Sequence, residues 1–165
     1  MNIQLTDIKP GLALVLFGLA LGIVLGVGFG LYEDAFQDFI SEGIAAHPEV
    51  HNSKSQHKIW RYVQRAHFHF TGIAAFSIGL LLLVSASTIK RKLKKVTSIL
   101  IGLGFFYPVS WLSIFFLAPS IGRKAAHSHI IAELFAIIGV GGLTIGILML
   151  VANVFFGLLE ERKPE

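Results

Sequence analysis

Two pairs of histidines are the residues in this chain best suited to chemistry. His67 and His69 lie in Arg65-Ala66-His67-Phe68-His69, and the second pair in His127-Ser128-His129, each beside a long apolar run. Residues two apart on a helix point about 200° from each other, so one imidazole of each pair can face a neighbouring helix while its mate turns away. Imidazoles converging from separate helices can ligate a metal or relay protons, and histidine at membrane depth marks a functional site by default. Taken singly, each is better explained as a wet residue at a helix end. The functional reading rests on two pairs at one level.

Spacing selects among them. His69 shares its face with Gly72 and Phe76 and nearly with Gly79, and glycine beside a ligand leaves room for a planar ring; His67 shares its face with Thr71, Ala74 and Ile78. Glu133 follows His129 by one turn, where a carboxylate can hold the imidazole's other nitrogen, ligate a metal or carry protons. Both residues are expected to look inward. Arg61 and Arg65 precede His69 by two turns and one turn, and Arg123 and Lys124 precede the second pair. Guanidinium groups above an imidazole pair suit haem propionates, while anchoring to anionic lipid headgroups explains the same cations as well.

Ligand type orders the cofactors. With no cysteine, disulfides, thiolate sites, iron–sulfur clusters and covalent haem attachment are excluded. Copper(I) prefers sulfur, and only Met1 and Met149 offer it. A b-type haem held between His69 and His129, with His67 and His127 as the alternates and Gly72, Arg61 and Arg65 around it, is the leading expectation. Zinc is the alternative, with His67 or His69, His127 or His129, and Glu133 as a three-ligand set leaving an open position for hydrolysis, transport or sensing. His47, His51 and His57 read as solvated loop residues. A third reading is a structural or assembly subunit without a cofactor.

The elements that must position these residues follow from composition. Of 165 residues 54% are hydrophobic and 15% charged, with a mean hydropathy of +0.71, which excludes an ordinary water-soluble enzyme and suggests no nucleic-acid partner. A hydrocarbon core ~30 Å thick needs ~20 apolar residues in a helix. Four stretches qualify, about 11–31, 68–88, 96–118 and 130–159, so the expected fold is all-α: one integral membrane domain, 1–165, forming a four-helix bundle. The loop 32–66 is expected to carry an amphipathic interfacial helix, with Phe36, Phe39, Ile40, Gly43 and Ile44 opposite Glu33, Asp34, Asp38 and Glu42. A second helix is expected to start at Ser53 and run into span two, with Trp60 and Tyr62 at the interface. Pro108 is expected to kink span three.

The basic run Lys90-Arg91-Lys92 with Lys94 and Lys95 puts the second connection in the cytoplasm, and with four spans both termini too, in a cytoplasmic membrane. The loop 32–66 and the histidines are then extracytoplasmic. Cations on that side, from Lys54 to Lys124, need another explanation. Gly18, Gly22, Gly26 and Gly30 recur every fourth residue along span one. Such a stripe packs against a neighbouring helix, within the chain, in a homo-oligomer or in a larger complex, or admits a flat cofactor.

The stretch Arg65-Ala66-His67-Phe68-His69-Phe70-Thr71-Gly72 resembles the histidine-bearing helix of small membrane haem proteins related to the large subunit of haem–copper oxidases and nitric oxide reductases. The likeness covers about one span in four. It implies that His69 or His67 is one axial ligand of a low-spin haem and His127 or His129 the other, and that the chain transfers electrons, with a quinol pool or a redox protein as partner. The superfamily's larger core and its further histidine cluster have no counterpart here, so oxygen or nitric oxide reduction is not expected.

Overall fold

A computed structural model describes residues 5–160; residues 1–4 and 161–165 of the single expected domain lie outside the described residues. The chain is all-helical, with no strand among the described residues beyond an isolated bridge between Ile89 and Glu160. Six α-helices are α1 (Lys9–Ala46), α2 (Ser55–Ala86), α3 (Arg91–Gly102), α4 (Phe106–Ile121), α5 (Arg123–His127) and α6 (Ile130–Phe156). They make four segments long and apolar enough to cross a membrane: α1, α2, α3 with α4, and α5 with α6.

Three expectations about these segments are refined. The amphipathic stretch after span one is no separate helix but the far half of α1, continuous through one non-helical residue, Tyr32 (φ −137°, ψ 31°). Its apolar face, Phe36, Ile40 and Ile44, closes over Ile59, Val63 and Phe115. Span two is entered from Ser55, not from a cap at Ser53. Asn52 Oδ1 accepts from the Lys54 N–H at 3.0 Å, and the Asn52 N–H donates to Ser55 Oγ at 3.0 Å. The break in span three falls one turn before Pro108, as a 3-10 turn over Leu103–Phe105. Pro108 lacks the N–H that would bond the carbonyl of Gly104, and its ring crowds that carbonyl, so the tighter turn forms there.

The segments pack unevenly. The third is central and touches the other three, whereas α6 lies against α3 and α4 and scarcely meets α2. Glycines set the close crossings. A Cβ at Gly11 would fall on the carbonyl of Ser98, and one at Gly102 would lie 2.9 Å from Gly11 Cα, so α1 and α3 touch backbone to backbone. Gly139, Gly142 and Gly146 do the same for α6, against Tyr107, Leu103 and Ile101.

The glycine stripe of span one is consumed inside the chain. Gly18 faces Phe105, Gly22 faces Thr71 and Phe70, and Gly26 receives the ring of His67, leaving Gly30 alone in open space. Packing against α2 is therefore its role, and little of it is left for a further partner.

At one end of the molecule lie both ends of the described chain and the turn 87–90; we call this the terminal end. Arg91 Nε donates to Asp7 Oδ1 (2.8 Å), Thr88 Oγ1 to Glu160 Oε1 (2.7 Å), Lys94 Nζ to the Ser85 carbonyl (2.8 Å) and the Lys90 N–H to the Leu159 carbonyl (3.0 Å). Asn153, 4% exposed, joins them through its Nδ2, which donates to Thr88 Oγ1 (3.2 Å) and to the Leu158 carbonyl (2.9 Å).

Candidate functional site

At the opposite end, α2, α4 and α5 bring their polar aromatic groups together around Trp111. The His69 ring stacks near it (centroids 6.4 Å, interplanar 19°), and His127 stands edge-on to it (5.5 Å, 87°). Tyr62 tilts against it at 5.8 Å, and the Arg65 guanidinium lies 4.8 Å above its ring. Tyr107 meets His69 edge-on at 4.8 Å and Tyr62 meets His127 at 5.0 Å. Helical spacing builds the set: Tyr62, Arg65 and His69 are i, i+3 and i+7 on α2, and Tyr107 and Trp111 are i and i+4 on α4. Arginine over an indole face is a favourable cation–π placement. Trp111 Nε1 is buried and has no hydrogen-bond partner. Tyr62, expected at an interface, is buried beneath this cluster.

Below the cluster α2 and α6 approach each other over Gly104, where Ile73 of α2 and Leu143 of α6 both lie close to a Cβ built there. Gly72 is exposed, with nothing within 4 Å of a Cβ built on it, and Phe76 and Val140 are each about half exposed.

The other candidates take different places. His67 Nδ1 lies 2.7 Å from the Gly22 carbonyl, which can only accept, so this nitrogen carries the proton. Its ring fills the Gly26 notch against Phe29, on the α1 side of α2. His129 caps α6, its Nδ1 accepting from the Ile131 N–H at 3.3 Å. That bond occupies the lone pair a metal would need and leaves the ring's proton on Nε2. Glu133 is exposed. Arg61 is exposed and has no part in the cluster.

In the loop, His51 Nε2–H donates to the Pro119 carbonyl at 2.8 Å, tying the chain after α1 to the end of α4. His47 stands 3.9 Å from Glu49, and His57 is exposed. Among the described residues no three His, Asp, Glu or Cys side chains are grouped to hold a metal ion, so the three-ligand zinc set of His67 or His69, His127 or His129, and Glu133 is not assembled.

Comparison of the chain with family models, with curated proteins and with solved structures returns no match. The site is therefore read from its own chemistry. Of the imidazoles with no nitrogen claimed by a hydrogen bond among the described residues, His69 and His127 both stand against one indole under a guanidinium. Neutral imidazole nitrogens with lone pairs are metal ligands or proton acceptors, and the arginine favours an anionic group beside them. Sequence reasoning singled out the histidines and the Pro108 kink but gave no functional role to Tyr107 and Trp111 on either side of it. Their four-residue spacing opposite the histidine pairs was the available signal.

Proposed function

We propose that this chain is a multi-pass membrane protein that binds a b-type haem beside Trp111 and carries electrons. The observation that carries the reading is the pair of imidazoles, His69 and His127, that share Trp111 and make no hydrogen bond among the described residues.

The residues present fit such a group. Gly72 leaves space beside His69, Tyr107 gives aromatic surface there, and the buried Trp111 N–H lacks an acceptor that a carboxylate substituent would provide. When bound, the haem would supply one-electron storage and transfer. His69 would provide one imidazole and His127 the second, in place of His129, whose lone pair is engaged in capping α6. Arg65 would neutralise carboxylate charge next to the indole. Electron exchange with a quinol or a redox protein follows, on the side opposite the basic run Lys90–Lys95, which faces the cytoplasm in this reading together with both termini.

The test is a dithionite-reduced minus air-oxidised absorbance spectrum of detergent-purified protein, with iron determined on the same sample. Paired α and Soret bands with near-stoichiometric iron are expected. His69→Ala and His127→Ala should each remove the bands or change the ligation, and His129→Ala should leave them in place. Colourless, iron-free protein after expression with ample haem, or bands unaltered in both variants, overturns the reading.

A further inference from the structure

Beside the cluster and on the same end of the molecule, the chain turns from α4 into α5 around a hollow of about 480 Å³ lined by Val50, Ile121, Gly122, Arg123, Lys124 and Ser128. Gly122 makes the turn with φ +80°, a conformation L side chains rarely adopt, and a Cβ there would sit 3.0 Å from the Val50 side chain. The chain is thus bent so that two consecutive cations border one recess. Arg123 and Lys124 have no ion-pair partner among the described residues. The acid next to the lining, Glu49, is exposed, with His47 3.9 Å away. Ser128 Oγ donates back to the Lys124 carbonyl at 3.2 Å, so it shapes the wall and leaves the two cations as the polar groups that face a ligand.

The recess is amphipathic. Val50 and Ile121 are each about two-fifths exposed and offer apolar walls beside the cations, while Ile130 and Ile131, just beyond α5, begin the outward apolar face of α6. Cations therefore stand where the apolar surface of the fourth segment starts. The charge distribution poses the same question, because a membrane chain oriented by its basic run at Lys90–Lys95 has no topological need for unpaired cations at the other end.

We infer that Arg123 and Lys124 form a binding site for a phosphate anion, and that the apolar walls select the phosphodiester of an anionic lipid headgroup, such as phosphatidylglycerol, over free phosphate. The two cations bind the phosphate oxygens, and Ile121 and Val50 pack against the glycerol and upper acyl carbons. The site is independent of the haem reading, since its lining includes none of Tyr62, Arg65, His69, Tyr107, Trp111 and His127.

The experiment titrates full-length, delipidated protein in a neutral detergent with phosphatidylglycerol, with phosphatidylcholine and with inorganic phosphate, reading the thermal unfolding midpoint at each concentration. Phosphatidylglycerol should stabilise the protein saturably and phosphatidylcholine should not. The double variant R123Q/K124Q should bind phosphatidylglycerol about thirtyfold more weakly, corresponding to about 1 kcal/mol for each cation. A charge-matched control, K54Q/K58Q, removes two exposed cations from the same end and should bind as the parent does. Saturable stabilisation by inorganic phosphate, lost in R123Q/K124Q, would support the anion site with free phosphate as its ligand. Equal loss in both double variants would reduce the effect to diffuse charge, and parent-like affinity in R123Q/K124Q would remove the site; either result overturns the inference.

Discussion

The two ends of the molecule use their polar side chains in opposite ways. At the terminal end, Thr88 is joined by hydrogen bonds to Asn153 and Glu160, residues far from it in sequence, while Lys94 and Asn153 also tie carbonyls nearby in the chain. At the histidine end, His69 and His127 stand against Trp111 without a hydrogen bond, and the Trp111 N–H is buried without a partner. A buried polar group is costly unless it is satisfied. The terminal end therefore fastens the fold more than the histidine end does, although Ser85 Oγ there is also buried without a partner.

Substitutions that break this contrast should have graded effects. The largest is expected for Gly11→Val in the terminal half: backbone meets backbone there and neither side can give, so overpacking should cost about 3 kcal/mol or more and leave little monodisperse protein on size exclusion. Next is Asn153→Ala, which strips a buried hub and leaves the Leu158 carbonyl and Thr88 hydroxyl short of a donor; a loss of about 2 kcal/mol is expected in denaturant or thermal unfolding. His67→Ala should cost about 1 kcal/mol, since it removes a single bond to the Gly22 carbonyl. By contrast His69→Ala and His127→Ala should change stability by less than about 1 kcal/mol while abolishing the spectral signature. If either unfolds the protein as Asn153→Ala does, the histidine end is a fastening too. Smallest is Arg91→Gln. Its pair with Asp7 is open to solvent on the arginine side, and no change should be measurable at moderate salt.

The same contrast explains what could be read from the sequence. Four apolar runs near twenty residues long leave a helical chain little choice, so the segments and the site's level were legible. The entry to α2 was nearly so, because Asn52 and Ser55 advertise a helix start. What could not be read was which side of each helix met which neighbour. The stripe of Gly18, Gly22 and Gly26 suggests a partner as readily as an internal contact, and only the fold shows that His67 and Phe70 occupy it. The second stripe, Gly139, Gly142 and Gly146, was equally visible and decides where α6 docks, yet its spacing of three and then four hides it from a search for fourfold repeats. His129 caps α6 from outside the helix, and Glu133 in its first turn is exposed instead of looking inward beside it. Helix α6 is held by the third segment and scarcely meets the second, a tertiary fact with no local signal.

The attachment of α6 to the third segment alone also has a meaning in time. Segments one to three can assemble as soon as the third has been synthesised, with Gly11 against Ser98 and His67 against Gly26, before α6 exists. The last helix is then a late addition laid along a finished surface, docked through Gly139, Gly142 and Gly146.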